Sequence, residues 1–239
     1  MNPILRPLLL ATLLLGLGGC ASVPSPTPTD PLEGWNRGVQ RFNDGLDEAV
    51  LQPVARSYRD TVPELLRTGI GNFFGNLGDG WSAINHFLQG KAEGGLNMTL
   101  RLATNSVFGL AGVLDPATEI GLERRSEDFG QTLGRWGVGA GPYLVLPLLG
   151  PSSLRDTAAL PLDLGATSVW LLTSNEPLSY VGTTLGLVHR RSELLGASRL
   201  LEQIALDRYS FLRNAYLARR RNLVYDGDPP PEPDDEPVK

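Results

Sequence analysis

The side chains that most often carry enzyme or metal chemistry are scarce in this chain of 239 residues. Cys20 is the only cysteine, and His86 and His189 are the only histidines. A single cysteine leaves no partner for an internal disulfide, and two histidines are too few for a typical zinc centre. We therefore expect no metal and no cofactor. His86 is predicted to be a polar group on a helix surface rather than a catalytic base.

Ser152 and Ser153 are the candidate nucleophiles, because Asp156 follows them closely. A serine hydrolase needs a nucleophile, a base and an orienting acid, and many such enzymes place the serine in a Gly-x-Ser-x-Gly turn. That motif is absent from the sequence. We expect the protein not to be an enzyme, and a phospholipase with a scattered triad is the open alternative.

Cys20 stands in the sequence context of a lipid attachment site. A positively charged start and a short, mostly apolar run precede Leu17-Gly18-Gly19-Cys20. This order is typical of a secretory signal, and the run is well short of the roughly 20 apolar residues of a membrane-spanning helix. The Leu-x-Gly-Cys ending resembles the lipobox of bacterial lipoproteins. We predict that residues 1–19 are a signal peptide, cleaved between Gly19 and Cys20, and that Cys20 is acylated.

The net charge of the chain is concentrated at its carboxyl end. Residues 226–239 contain six acidic residues and one lysine, a net charge of −5 that equals the formal charge of the whole chain. The rest is balanced and lacks the concentrated basic face that nucleic acid requires, so we expect no nucleic-acid partner. Residues 20–29 are predicted to be the lipidated cysteine with a proline-rich tether, and residues 226–239 an acidic, proline-rich disordered tail. The folded body is then residues 30–225, one domain by length.

Helical periodicity dominates this body and predicts an all-α fold. Apolar residues recur at intervals of three and four between residues 66 and 88, where Gly75, Gly78 and Gly80 predict a break into two helices. A second stripe covers residues 96–114, in which Arg101 is the only charged side chain. That segment is too polar for a lipid-surrounded span. It suits a helix lying in one leaflet, or one whose polar face turns to an internal passage.

Three further helices are predicted at residues 167–172, 178–195 and 207–223, with Asp207 as the N-cap of the last. No alternating pattern typical of strands persists. The 28 glycines are unusual for a helical protein, because a glycine within a helix costs about 0.5–1 kcal/mol relative to alanine. Close helix packing in lipid, or irregular backbone around a cavity, would explain them. The composition of a GC-rich genome is the alternative explanation.

Nine short motifs follow one another along the body. They are residues 30–37 (DPLEGWNR), 59–63 (RDTVP), 71–77 (GNFFGNL), 85–90 (NHFLQG), 101–106 (RLATNS), 109–115 (GLAGVLD), 127–134 (EDFGQTLG), 136–143 (WGVGAGPY) and 147–156 (PLLGPSSLRD). In this order and spacing they resemble the MlaA/VacJ family of outer-membrane lipoproteins, from about residue 30 to residue 225. One motif would be weak, whereas nine in register are specific.

The resemblance implies a function that composition alone does not show. Members of this family maintain outer-membrane lipid asymmetry by removing mislocalised glycerophospholipids from the outer leaflet. Their fold is a ring of amphipathic helices, embedded in the periplasmic leaflet around a central channel. They associate with trimeric porins and pass lipid to a soluble periplasmic carrier (MlaC-like). The implied location is the periplasmic side of a Gram-negative outer membrane, which Ala21 after the acylated cysteine also favours.

The resemblance also implies a hinge or gate beside the channel, formed by four glycines: Gly134, Gly137, Gly139 and Gly141. A plain connecting turn is the alternative interpretation of this segment. A nucleotide-binding loop is not expected, because Pro142 follows and no strand–loop–helix unit surrounds the glycines. For the function of the whole protein, the alternative is a structural envelope lipoprotein, a scaffold without lipid transport.

Overall fold

The computed structural model describes residues 30–231 of the chain. The predicted signal peptide, Cys20, the tether up to residue 29, and residues 232–239 of the acidic tail lie outside the described residues. What the sequence predicts for those segments stays a prediction.

Helices make up most of the described residues, which confirms the all-α prediction. In chain order they are α1 (Glu33–Leu46), a π-helical turn (Asp47–Leu51), α2 (Gln52–Thr61), α3 (Glu64–Leu88), α4 (Ala92–Val107), α5 (Pro116–Glu119), α6 (Phe129–Arg135), α7 (Leu154–Ala166), a 3₁₀ turn (Val169–Leu171), α8 (Glu176–Glu193), α9 (Leu195–Ile204) and α10 (Arg208–Val224). Two short strands, β1 (Tyr143–Leu146) and β2 (Gly150–Ser153), lie between α6 and α7.

The π-helical turn joins α1 and α2 into one nearly continuous helix. Pro53, in the first turn of α2, has no backbone N–H to donate, and the wider turn before it accommodates the missing hydrogen bond. Asp47 in this turn accepts hydrogen bonds of 2.6 and 2.7 Å from Arg191 of α8. The turn is thereby tied to α8.

Helix α3 is a single helix of 25 residues, so the predicted break into two helices is wrong. Of the three glycines predicted to break it, Gly75 and Gly80 face neighbouring side chains, whereas Gly78 has open space around it. A Cβ atom on Gly75 would lie 2.5 Å from Nη1 of Arg124, and one on Gly80 would lie 3.4 Å from Leu102 of α4. Tertiary contacts therefore offset the low helix propensity of these glycines.

Helix α4 is shorter than the predicted helix over residues 96–114, because it ends at Val107. Leu110, Ala111 and Gly112 follow with positive φ angles of 51, 58 and 92°, which a right-handed helix cannot adopt. The backbone N–H of Gly112 donates to the carbonyl of Asn105 at 2.9 Å and closes this turn. The segment after α4 therefore folds back towards α3.

The carboxyl-terminal helices lie close to their predicted positions. Asn175 caps α8, and Asp207 caps α10 by accepting a hydrogen bond from the backbone N–H of Tyr209, as predicted for Asp207. The segment predicted as a helix over residues 167–172 contains only the 3₁₀ turn. Helix α9 directly follows α8 and precedes α10.

The strands form a β-hairpin that the sequence analysis did not predict. Tyr143 pairs with Ser153, and Leu146 pairs with Gly150, in an antiparallel register. Two asparagines of α1 hold the hairpin in place. Asn36 donates to the carbonyl of Tyr143 (3.0 Å) and accepts from the N–H of Val145 (2.9 Å), while Asn43 makes the corresponding pair of bonds at the hairpin turn.

Burial in this fold is reversed relative to an ordinary soluble protein. Among the described residues, more polar and charged residues than hydrophobic ones are buried. Many large apolar side chains are exposed, including Leu65, Val107 and Phe108, which are 79, 71 and 74% exposed. No helix between residues 30 and 231 combines the length and the apolar character needed to cross a bilayer.

Candidate functional site

A groove between α3 and α8 contains two adjoining compartments. The helices run antiparallel there, because residues 69–74 of α3 share one compartment with residues 178–185 of α8, whereas residues 64–72 share the other with residues 189–193. Ile70 lines the first compartment and its neighbour Gly71 lines the second. The two compartments therefore lie next to each other along these helices, with no lining residue in common.

The first compartment, here called the apolar chamber, has a volume of about 390 Å³. Its lining side chains are almost entirely hydrocarbon, with Thr173 as the exception: Gly69, Ile70, Phe73, Phe74, Val113, Val169, Leu172, Thr173, Leu178, Gly182 and Leu185. A space of this size and lining suits an apolar ligand segment rather than water.

Three glycines allow the side chains that line the apolar chamber to pack closely against the backbone of α3 and α8. A Cβ atom on Gly69 would lie 2.9 Å from Val113, and one on Gly182 would lie 3.0 Å from Val169. Gly186, one turn after Gly182, would bring a Cβ atom to 2.9 Å from Phe74. Larger residues at these positions would displace lining side chains, so the glycines here have a packing role beyond base composition.

The second compartment, here called the polar compartment, has a volume of about 270 Å³. Its lining is hydrophilic apart from one glycine: Glu64, Arg67, Thr68, Gly71, Asn72, His189 and Glu193. An apolar space beside one with charges and hydrogen-bonding groups matches the two halves of an amphipathic molecule.

His189 separates the polar compartment from α2. Its Nδ1 lies 3.2 Å from the hydroxyl of Tyr58, and Gly71 leaves room for the ring, because a Cβ atom there would be 2.8 Å from Nε2. Burial lowers the pKa of His189 below its usual value, Glu193 opposes that shift, and Arg67 adds to it. The imidazole is therefore neutral at pH 7.

A buried charge cluster holds the segment that carries Val113 against α3 and α4. Arg101 is fully buried and donates to both carboxylate oxygens of Asp115 at 3.0 and 2.9 Å. Asp79 of α3 lies 3.4 Å from Arg101 and accepts a 2.7 Å hydrogen bond from Arg124. Arg101 and Asn105 on the polar face of α4 therefore face a buried ion-pair cluster.

The predicted hinge glycines occupy different environments. Gly134 lies inside α6, where a Cβ atom would be 2.7 Å from Arg155 and 2.8 Å from Val224. Gly137 and Gly141 have φ angles of 92 and 68°, whereas Gly139 has free space around its Cα. Three of the four are thus in the loop between α6 and β1, and the hinge stays a prediction.

The hydroxyls of Ser152 and Ser153 are engaged in local structure. Ser153 is the N-cap of α7 and accepts from the N–H of Asp156, and Ser152 is hydrogen-bonded to Thr157 at 2.9 Å. Asp156 itself binds Arg220 at 2.9 Å. Neither histidine has a hydrogen bond to these three residues within the described part of the chain.

His86 does not lie on a helix surface as predicted. It is buried, and its Nε2 is 2.9 Å from the carbonyl of Arg125. A Cβ atom on Gly94 of α4 would lie 2.5 Å from its Nδ1, so this glycine makes room for the ring between α3 and α4. Its position indicates a structural role.

Comparison with known proteins identifies the family. A model for the MlaA lipoprotein family matches residues 28–223, which include the groove and both compartments. The chain belongs to the MlaA lipoprotein family. A relative from Escherichia coli (strain K12), named intermembrane phospholipid transport system lipoprotein MlaA, is 38% identical over 234 residues, which is 93% of this chain and 91% of the relative.

Other members of the MlaA family agree in sequence and in structure. A Haemophilus influenzae protein with the same name is 31% identical and covers 89% of this chain and 88% of its own length. A solved structure reported under "Structural basis for maintenance of bacterial outer membrane lipid asymmetry" matches with a TM-score of 0.70 and 35% identity. It covers 82% of this chain and 98% of that chain.

The groove itself was only partly visible in the sequence. Residues 66–88 were recognised as an apolar stripe with glycines, and that stripe supplies one wall of the apolar chamber. The contribution of α8, and of Arg67, His189 and Glu193, was missed. The sequence signal for His189 and Glu193 is the mixed charge within residues 189–193, which by itself does not show that α8 lies beside the first turns of α3.

Proposed function

We propose that this protein is an outer-membrane lipoprotein that removes mislocalised glycerophospholipids from the outer leaflet and so maintains lipid asymmetry. The names of the MlaA relatives and the subject of the matching solved structure support this proposal. The observation that carries it is the apolar chamber beside the polar compartment, both lined by α3 and α8.

A glycerophospholipid has the chemistry that this groove would accept. Its acyl chains gain free energy when they leave water for a hydrocarbon lining, at roughly 25 cal/mol per Å² of apolar area. Its headgroup would lose several kcal/mol in the same lining without hydrogen-bond partners, so it requires a polar neighbour. The two compartments supply both environments side by side. No bond is made or broken in this process.

The exposed apolar side chains support a body that is embedded in one leaflet. Helices with an apolar outer surface can lie in the interface of a bilayer without crossing it. In this proposal the helices form a ring in the periplasmic leaflet, with a central channel that the groove enters. The acylated Cys20 fixes the protein to that side of the outer membrane.

Partners complete the proposed pathway. Trimeric porins hold the protein beside the outer leaflet, and a soluble periplasmic carrier (MlaC-like) receives the lipid for return to the inner membrane. A passive channel only lets lipid move down its free-energy gradient, because it supplies no differential energy of its own. The direction of transport must therefore come from outside the channel.

Placing a charge in the apolar chamber tests this function. We expect Leu178→Asp, in a strain that lacks the wild-type gene, to leave most surface phospholipid uncleared, because an acyl chain that enters the chamber would have to strip water from the new carboxylate at a cost of several kcal/mol. Position 178 is in the first turn of α8, where an acidic residue favours the helix. The measurement is labelling of surface aminophospholipid with a membrane-impermeant reagent.

Thr183→Asp is the matched control, because Thr183 is exposed on the same helix and does not line the chamber. It should clear surface phospholipid as the wild type does. A scaffold without lipid transport predicts that deletion of the gene leaves surface phospholipid unchanged. That result, or full activity of Leu178→Asp at a normal protein level, would contradict the proposal.

A further inference from the structure

We propose that the polar compartment binds a zwitterionic phospholipid headgroup, with Arg67 contacting the phosphate and Glu64 and Glu193 beside the amine. This inference rests on the proposed function, since it concerns the headgroup of the lipid whose chains occupy the apolar chamber. It names a preference for a headgroup that pairs a phosphate with a cationic amine over one with a net negative charge.

Arg67 has unused hydrogen-bonding capacity. Its Nε donates to the carbonyl of Val62 at 3.2 Å, and its Nη1 lies 3.9 Å from Oε1 of Glu193, beyond hydrogen-bond distance. Its side chain is 19% exposed. A guanidinium that is mostly buried, with terminal N–H groups facing a polar space, is suited to bind a phosphate through two parallel hydrogen bonds.

Other arginines of the protein differ from Arg67 in this respect. Arg37 donates to both carboxylate oxygens of Asp207 (3.1 and 2.7 Å), and Arg220 does the same with Asp128 (2.5 and 2.9 Å). Arg101 is saturated by Asp115 in the same way. The fold thus provides close carboxylate partners for arginines that stabilise it, and Arg67 lacks one.

The charge of the polar compartment selects among headgroups. Two carboxylates, Glu64 and Glu193, line it with one guanidinium, and the neighbouring His189 is neutral because burial lowers its pKa. The side chain of Glu193 is 59% exposed, so it can turn towards a bound amine. A headgroup that carries only a phosphate charge would meet a net negative lining, whereas a phosphate with an amine would pair both signs.

The position of Arg67 relative to the apolar chamber fits one continuous lipid. Arg67 lies one turn before Ile70 on α3, and Ile70 lines the chamber. Three helical residues rise about 4.5 Å, so a phosphate bound to Arg67 could belong to a lipid whose acyl chains enter the chamber. The headgroup and the chains would then lie along one helix face.

The lipids that remain bound to the purified, intact lipoprotein test this inference. The protein is extracted in mild detergent from cells that contain both phosphatidylethanolamine and phosphatidylglycerol, and bound lipid is quantified by mass spectrometry. We expect the wild type to be enriched in phosphatidylethanolamine relative to the membrane. Arg67→Gln should lower total bound phospholipid about tenfold, which corresponds to the loss of charge-assisted hydrogen bonds.

Glu64→Gln combined with Glu193→Gln should retain lipid and shift the bound ratio towards phosphatidylglycerol about fivefold, as expected for the loss of like-charge exclusion. This pair keeps the inference testable if Arg67→Gln fails to fold. Arg190→Gln is the control, because Arg190 is exposed next to His189 and does not line the compartment. It should bind lipid as the wild type does.

Two negative results have different meanings. If the wild type retains lipid without enrichment, and neither the arginine nor the glutamate variants change it, the headgroup assignment is overturned and the transport proposal stands. If the wild type retains no phospholipid under conditions that preserve its fold, both are overturned.

Discussion

Asp115 shows how single side chains position the groove. Its carboxylate accepts hydrogen bonds from Arg101, Asn105 and Thr118, and in this way it ties the segment after α4 to the body. Val113, two residues earlier, lines the apolar chamber. Removing one partner of a buried ion pair typically costs about 3–5 kcal/mol, because the other charge is left uncompensated. The cluster is therefore expected to control both stability and the chamber wall.

The stability contributed by Asp115 should depend on pH. Burial raises its pKa, but hydrogen bonds from Thr118, Asn105 and Arg101 outweigh burial and lower the pKa to about 2. A carboxylate with a depressed folded-state pKa stabilises the protein above its unfolded pKa of about 3.9, and that stabilisation is lost as pH falls towards 2. We expect Asp115→Asn to lower the free energy of unfolding by about 2 kcal/mol at pH 7, and by much less near pH 2.5.

Thermal unfolding in detergent at both pH values measures this difference. Glu119→Gln, close by on α5 and exposed, is the control and should change the midpoint little at either pH. A deficit of Asp115→Asn that has the same size at pH 7 and pH 2.5 would show that the carboxylate charge is not its source.

At the scale of elements, the sequence predicted where helices exist better than where they end. Asp207 was recognised as an N-cap because the capping residue and its helix are adjacent in the chain. The ends of α3 and α4 depend on distant contacts instead. Gly75 stays helical beside Arg124, and the polar residues of α4 pair with Asp79 and Asp115, partners that periodicity does not reveal.

The β-hairpin was missed for a related reason. Its first strand is part of a wholly apolar run, which lacks the alternation that identifies a half-buried strand. It is fixed by Asn36 and Asn43, more than 100 residues earlier in the chain, which supply hydrogen bonds to the strand and its turn. The groove was missed likewise, since no local pattern brings α8 to α3.

The loop between α6 and β1 offers a direct test of the predicted hinge. Gly139 has free space and needs no positive φ angle, so Gly139→Ala reduces backbone freedom without a clash. Gly141 has a φ angle of 68°, and a Cβ atom there would lie 3.1 Å from Leu154, so Gly141→Ala adds strain. If the loop is a hinge, both variants should impair lipid clearance, and Gly139→Ala should do so at normal thermal stability.

Surface labelling of phospholipid, together with the protein level and the melting temperature, distinguishes a hinge from a plain connecting turn. Gly165→Ala is a suitable control, because Gly165 in α7 also has free space around its Cα. Normal lipid clearance by Gly139→Ala would favour the plain connecting turn over the hinge.

At the scale of the whole molecule, the reversed burial indicates that lipid, rather than water, surrounds the apolar outer surface. A soluble domain hides its leucines and phenylalanines, whereas this protein exposes them and encloses Arg101, Asp79 and Asn105 instead. Composition could not reveal this, because it does not state which residues lie inside. The family resemblance predicted an association with the membrane, and the exposed apolar side chains give the physical reason for it.

Membrane affinity should therefore persist without the lipid anchor. We expect Cys20→Ala, purified in detergent, to lack acyl groups by mass spectrometry and still to float with phospholipid vesicles after detergent removal, because its apolar surface remains. Loss of the anchor should weaken retention in the outer membrane of cells. Acylation of the variant would contradict the anchor assignment, and a freely soluble body without affinity for vesicles would contradict the embedded surface.

Asp30 marks the point where the folded body begins, and it cannot move freely. Its buried carboxylate accepts hydrogen bonds from Asn36, Tyr209 and Arg213, so the chain leaves the body beside the first turns of α10. Cys20 stands ten positions before Asp30, and even a fully extended chain of that length covers only about 35 Å. With Cys20 acylated as predicted, a connection this short would let the folded body tilt at the bilayer but not move away from it. In the proposed pathway, the soluble carrier would therefore have to come to the membrane to collect the lipid.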